Sequence, residues 1–338
     1  MANSAYCTSS HCSRIFLTYQ PSLAGGAVFL SLFAVLIPIT LALGVKYRCS
    51  VFATVIATGL ALEVVGYIGR VLLHNSPTDR TSFILFLLGT LLGSTLIGGA
   101  MFIVMPQIVT VYGEEFRSWR PVWYLFLFYA FTAVSLVLQL AGGIVSTVQD
   151  EPEQVNTGIR VLVVGLAIQL VSLVLFIGHA MLFAIALRTR RHRLDIKFAS
   201  IYNSMSYKAF LFAFSFATVL LLIRTAFRIV VIAEGYGSSV AQSETLLLVF
   251  DGMMVLLSTL ILLAFFPGRV LGASWSETST QRLPKTQLQP IRATSYELPS
   301  TRSSPTYNQM SFKSPTMHHS HYPAPAPRSG LVDSEALW

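Results

Sequence analysis

Seven long apolar runs separated by short polar connections organise this chain: Leu23 to Val45, Val51 to Leu73, Phe83 to Met105, Val122 to Thr147, Gly158 to Leu187, Ala209 to Ile232 and Thr245 to Phe266. Each has about 20 residues or more, enough at 1.5 Å per residue to cross the ~30 Å hydrocarbon layer of a bilayer. The pattern predicts an all-α membrane protein built as a seven-transmembrane-helix bundle. The first roughly 20 residues have no apolar core, so no cleavable signal peptide is expected and the first span directs insertion. After Gly272 the chain turns to Ser, Thr, Pro and Gln, a composition that cannot bury enough apolar surface to fold. The expected organisation is an extracellular segment (1–22), a transmembrane domain (23–270) and a disordered cytoplasmic tail (271–338).

Composition excludes a soluble fold, with 54% hydrophobic and only 11% charged residues and a mean hydropathy of +0.64. Lys and Arg in the connections set the orientation. Lys46 and Arg48, Arg117 and Arg120, and the group Arg188, Arg190, Arg191, Arg193, Lys197 and Lys208 mark alternate loops as internal. The opposite loops carry Arg14, Arg80, and Arg160 beside Asp150, Glu151 and Glu153. This places the N-terminus outside and the C-terminus inside. The net charge of +8 is accounted for by these internal loops and the anionic inner leaflet, so nucleic acid is not an expected partner.

Cys7 and Cys12 fall in the external segment, where a disulfide is allowed, and Cys49 lies at the inner face as a free or acylated thiol. Ser304 and Ser314, each followed by Pro, and the run after Arg302 are candidate phosphate acceptors in the tail. His318, His319 and His321 lack further fixed ligands, and no metal or other cofactor is expected.

The candidate chemistry lies in charges within the spans. Glu63, Gly66, Tyr67 and Arg70 form a Glu-x-x-Gly-Tyr-x-x-Arg string in the second run. Ionisable groups in a bilayer core cost a few kcal/mol, so they face a cavity or a partner helix. Counting outward from Val51, Glu63 lies roughly 18 Å and Arg70 roughly 28 Å from the inner boundary. Arg224 and Arg228 on the sixth run reach roughly 22 and 28 Å. Glu244 marks the outer end of the seventh run and Asp251 lies about 10 Å below it. Gln139 falls in the outer half of the fourth.

Acids and bases from helices 2, 6 and 7 therefore share one leaflet. The pairs Glu63/Arg70, Glu244/Asp251 and Arg224/Arg228 each occupy one helix face. Glu63 and Arg70 are about 10 Å apart along their axis, so their partners are expected from helices 6 and 7. The arrangement suggests a polar chamber open to the external leaflet and lined by Glu63, Arg70, Arg224, Arg228 and Asp251. A network that only locks helices together is the alternative. Gly89, Gly93, Gly98, Gly99, Gly142 and Gly143 suit close helix packing, and Pro38 and Pro106 suit kinks.

Several strings together resemble a known family. They are Tyr19 with Pro21-Ser22, the Glu63 to Arg70 motif, Ser135-x-x-x-Gln139-x-x-Gly142-Gly143, Gly165-Leu166-x-x-Gln169, Arg224-x-x-Phe227-Arg228, Glu244 with Phe250-Asp251, and Pro267-Gly268. In order and combination they are similar to those of the fungal lipid-translocating exporter family, over about residues 19 to 270. The resemblance implies a seven-helix plasma-membrane protein that moves sphingoid long-chain bases or toxic amphiphiles, with membrane lipids and an amphipathic molecule as partners. A porphyrin-transporting relative is also assigned to that group. The substrate-binding residues it suggests are Glu63, Tyr67, Arg70, Gln139, Arg224, Arg228 and Asp251. Departures from the family pattern fall at Thr132, Val231, Gly93-Ser94, Phe102, Gln107 and Phe266, so architecture carries over more directly than substrate.

No Gly-x-x-x-x-Gly-Lys-Ser/Thr loop is present, so uphill movement needs an ion gradient or another protein. A seven-helix receptor, or a regulator of another transporter, would have the same topology. A zinc hydrolase or retinal protein is disfavoured. His74 and His179 sit at opposite ends of the membrane region, and the seventh run contains no Lys.

Overall fold

The computed structural model describes residues 20–112, 121–189 and 204–271. The expectations for Cys7 and Cys12, most of the basic fifth-to-sixth connection and the tail beyond Leu271 lie outside them. Helices α1 (Leu23–Lys46), α2 (Ser50–Asn75), α3 (Arg80–Tyr112), α4 (Pro121–Val148), α5 (Pro152–Thr189) and α6 (Met205–Ala233) follow one another in sequence. The seventh span, α7, begins as an α-helix (Glu244–Leu247), widens into a π-helical stretch (Leu248–Met253) and resumes as an α-helix (Met254–Ala264). A short α8 (Pro267–Leu271) follows. Among the described residues, seven helices are long and apolar enough to cross a membrane, as the hydrophobic runs predict.

Helix α3 is central: 72% of its apolar window is buried, against 28% in α1. Large apolar side chains on α1, α4 and α5, such as Val35, Val137 and Val174, are exposed. In water such a surface would be a liability; facing lipid it is the expected covering of a spanning bundle.

Glycines set close packing between α2 and α3. A Cβ on Gly66 would come 2.8 Å from the backbone nitrogen of Thr90, and one on Gly93 equally close to the carbonyl oxygen of Gly59. No side chain fits between these backbones. Gly142 and Gly158 perform the same role between α4 and α5, meeting the backbones of Leu162 and Ser146. Gly98 departs from the packing expectation: a Cβ there would have nothing nearer than 3.8 Å. It borders a cavity.

The α1–α2 connection is short. Arg48 takes a left-handed φ of 54°, and the Cys49 amide returns to the Gly44 carbonyl at 3.0 Å. Cys49 is buried, and its thiol donates to the Tyr47 carbonyl at 3.3 Å. An acyl chain on this sulfur would have to displace that packing. At the opposite end, Arg80 pairs with Asp150 at 2.5 Å and caps the Val148 carbonyl, tying α3 to the end of α4.

Candidate functional site: a buried charge network

The π-helical stretch of α7 sets the position of Asp251. A π turn inserts an extra residue into the ladder and rotates the remainder of the helix about its axis, and such bulges recur at functional sites. Here it points Asp251 at α6, where Arg224 and Arg228 lie one turn apart on one face. Arg228 donates from Nε to Asp251 Oδ1 at 2.8 Å and from Nη2 to Oδ2. This is the bidentate geometry that a planar guanidinium makes with a carboxylate. Arg224 Nε lies 2.8 Å from the same Oδ1 as an ion pair, without hydrogen-bond alignment.

Thr90 of α3 completes the base of the network. Its carbonyl accepts from Arg224 Nη2 at 2.7 Å, and its hydroxyl accepts from Arg228 Nη2 at 2.8 Å. The same residue forms the backbone wall opposite Gly66, so the glycine contact brings the α3 carbonyl within reach of both arginines.

A second cluster lies at the end of the bundle where α1 and α7 begin and α2 ends. Arg70 Nη2 donates to Glu244 Oε1 at 2.9 Å, and the same oxygen accepts from the Ser22 amide at 2.8 Å and the Ser22 hydroxyl at 2.7 Å. Glu244 thus ties the start of α1, the end of α2 and the start of α7 together. His74 Nδ1 donates to the Pro21 carbonyl at 2.8 Å, and Gln20 Nε2 donates to the His74 carbonyl at 3.0 Å. Phe86 joins the two clusters, with the guanidinium carbons of Arg70 and Arg228 at 5.3 and 5.6 Å from its ring centre.

Glu63 lies among these charges at 1% exposure, and its Oε1 has no hydrogen-bond partner. Its principal electrostatic neighbours are Arg224, Asp251 and Arg228. Tyr67, one turn further on, stacks its ring on Phe29 at a centroid distance of 5.4 Å and lies tilted against Phe33 at 5.5 Å. Its hydroxyl is directed at Gly252, where a side chain would collide with it.

Helices 2, 6 and 7 thus bring together six of the seven residues proposed from sequence, and Arg70 takes its partner from helix 7 as expected. Gln139 is placed elsewhere. Its Nε2 donates to Ser135 Oγ at 2.7 Å and Gln169 Oε1 at 3.0 Å, forming an uncharged group between α4, α5 and Thr95 of α3.

In this conformation Arg224, Arg228 and Asp251 are packed against one another. Arg228 borders a cavity of about 30 Å³, together with Phe83, Phe86 and Tyr236. Sequence reasoning passed over Thr90 and Phe86, since nothing separates them from other residues of an apolar helix. Glu244, read from sequence as an acid on the face of Asp251 but not among the chamber or binding residues, joins the segment at Ser22 to Arg70.

The network retains unused bonding capacity. Glu63 Oε1 is a free acceptor, while Arg224 Nη1 and Arg70 Nε are free donors, all buried. Buried polar atoms are normally satisfied, so these orphans set the network apart from an ordinary structural ion-pair cluster. Among the described residues, no group of three or more His, Cys, Asp or Glu is arranged to hold a metal ion.

A family model described as "RTA1 like protein" matches residues 56–274, which contain all six clustered residues. The chain belongs to the RTA1-like family. This is the seven-helix group that its motifs resemble. Among individual RTA1-like proteins, it is 25% identical over 241 residues to the sphingoid long-chain base transporter RSB1 of Saccharomyces cerevisiae, covering 63% of each chain. It is 25% identical over 210 residues to the protein RTA1 of the same yeast, covering 62% of this chain and 63% of that one. A third yeast relative, protoporphyrin uptake protein 1, is 26% identical over 234 residues, covering 67% and 72%. The match therefore spans 63% of the length of the long-chain base transporter. No solved structure matches the chain significantly.

Proposed function

We propose that this RTA1-like protein moves amphipathic lipids of the sphingoid long-chain base type, or toxic amphiphiles like them, across the bilayer, and is not an enzyme. The observation that carries the reading is the buried mixed-charge network with its unpartnered carboxylate oxygen and guanidinium N–H groups. An ammonium-bearing head group pays several kcal/mol to enter hydrocarbon unaccompanied. Glu63 supplies an acceptor for that ammonium, and the free arginine donors suit hydroxyl or phosphate oxygens beside it. Tyr67 and Asp251 hold the surrounding geometry, and the Arg70–Glu244–Ser22 cluster acts as the outer closure that must open to admit the head group. Gln139 serves from the neighbouring uncharged group. Aliphatic tails remain in lipid.

The RSB1 transporter and the protoporphyrin uptake protein support the substrate class by similarity. The Lys and Arg distribution supports an external N-terminus and an internal C-terminus, with residues 1–22 outside, 23–270 in the bilayer and 271–338 forming a cytoplasmic tail. A plasma-membrane location fits an export role.

The test is reconstitution. Purified protein in proteoliposomes is supplied with a fluorescent long-chain base, and its movement between leaflets is followed for wild type and Glu63→Gln. Movement that the substitution reduces at least tenfold is expected. Folded wild-type protein that moves nothing would shift the assignment to a receptor or regulator, while unaffected movement in the variant would remove Glu63 from the route.

A further inference from the structure

A small cavity separate from the charge network lies between α3, α4 and α5, with a volume of about 10 Å³. Gly98, Thr132, Gln169 and Ser172 border it, and no charged residue does. Ser172 is 2% exposed and its hydroxyl has no partner. Such an orphan inside a membrane bundle calls for a bonding partner from outside the chain.

The bonds around Gln139 fix which face Gln169 presents. Ser135 uses its hydrogen on the Gly165 carbonyl at 2.8 Å, so it can only accept from Gln139, which must turn Nε2 toward it. The same Nε2 donates to Gln169 at 3.0 Å, which requires the oxygen of Gln169 on that side. Thr95, at 2.7 Å, faces that oxygen too. The amide nitrogen of Gln169 is therefore turned away from this group and toward Gly98, where an added Cβ would stand 3.8 Å from it. Gln169 and Ser172 are three residues apart and share a helix face. Thr132 donates to the Phe128 carbonyl at 2.8 Å and keeps acceptor capacity on the opposite side of the cavity.

The lining thus offers N–H donors from Gln169, an acceptor on Thr132 and a hydroxyl on Ser172 that does either. An oxygen that both accepts and donates satisfies all three, and a cavity of this size holds one such atom. A carboxylate cannot donate and an ammonium cannot accept, so neither meets this set.

We infer that the cavity between α3, α4 and α5 is a binding site for a single neutral hydroxyl oxygen, supplied by a water molecule or by an alcohol group of the amphiphile. The alcohol source rests on the lipid-moving function proposed above; the water source does not. The absence of a side chain at Gly98 keeps the site open. Gly98→Ala fills it through ordinary van der Waals contacts, leaving the backbone in place.

The experiment uses the full chain in lipid nanodiscs. Equilibrium binding of a C18 2-amino-1,3-diol is compared with binding of its 1-deoxy analogue, for wild type, Gly98→Ala and Ser172→Ala, alongside a ligand-free map resolving ordered waters. If the alcohol is the source, wild type prefers the diol by about tenfold and both substitutions remove the preference. If water is the source, the ligand-free map shows one oxygen between Ser172 and Gln169, and the two amphiphiles bind equally. An empty cavity overturns the inference when the preference is absent or survives Gly98→Ala. These readouts do not use leaflet movement, so failure here and failure of the proposed transport are told apart.

Discussion

Replacing Asp251 by Asn removes the only carboxylate that accepts hydrogen bonds from Arg228 among the described residues, and the ion-pair partner of Arg224. The two arginines are 2% and 0% exposed. Neither can turn to water. Removing one partner of a buried ion pair typically costs about 3–5 kcal/mol, because the remaining charge stays buried without compensation. For a domain of this size, that corresponds to a fall in unfolding temperature of about 10 °C. Asp150→Asn is the matched control. Its ion pair with Arg80 is also short, but the two side chains are 39% and 79% exposed, and exposed pairs contribute about 1 kcal/mol or less. The assay is thermal unfolding in detergent, monitored by retention of the monodisperse peak on size-exclusion chromatography.

Asp251→Asn should unfold well below wild type, and Asp150→Asn within about 2–4 °C of it. Equal unfolding temperatures for the two variants would refute the reasoning. They would mean that another group, with Glu63 nearest to hand, replaces Asp251 as counter-ion. The double variant Glu63→Gln/Asp251→Asn tests that directly, since it removes both acids and restores the full loss.

Three further outcomes are expected. Gly89→Val should fail to yield folded protein, because a Cβ at Gly89 overlaps the backbone of Gly66, whereas Gly98→Ala should express and unfold like wild type. Glu244→Gln should loosen the segment at Ser22 and speed proteolysis near residue 20, measured by limited digestion with the charge network otherwise intact. Cys49 should resist maleimide at pH 7–8 in the folded protein and react on unfolding. Burial pushes its thiol up to about 12, so the reactive thiolate forms only as pH approaches that value. Rapid labelling of Cys49 at neutral pH, read in native protein carrying Cys7→Ser and Cys12→Ser, would contradict that placement.

The seven spans were legible because apolar length is a one-dimensional property: about 20 residues without charge need lipid or other helices around them whatever their neighbours are. The gathering of Glu63, Arg70, Arg224, Arg228 and Asp251 was legible for a related reason. Depth follows from counting residues along rigid helices, and opposite charges at one depth have few ways to avoid one another. Partner choice was not available from counting. Arg70 meets Glu244, while Asp251, which lies within the π-helical stretch of α7, meets Arg228, and nothing in Phe250-Asp251-Gly252 announces that stretch. Thr90 enters the network because glycine contacts press α3 onto α2, a result of two backbones meeting.

The sequence by itself determined that this is a membrane bundle, the order and depth of its charges, and the family to which its motifs point. Only the tertiary structure decided which charges touch and that Gln139 belongs to a separate uncharged group. The physical reason is that burial and hydrogen bonding depend on atoms from several helices at once. Side chains separated by more than a hundred residues along the chain, such as Thr90 and Arg228, acquire their partners only when those helices are in contact.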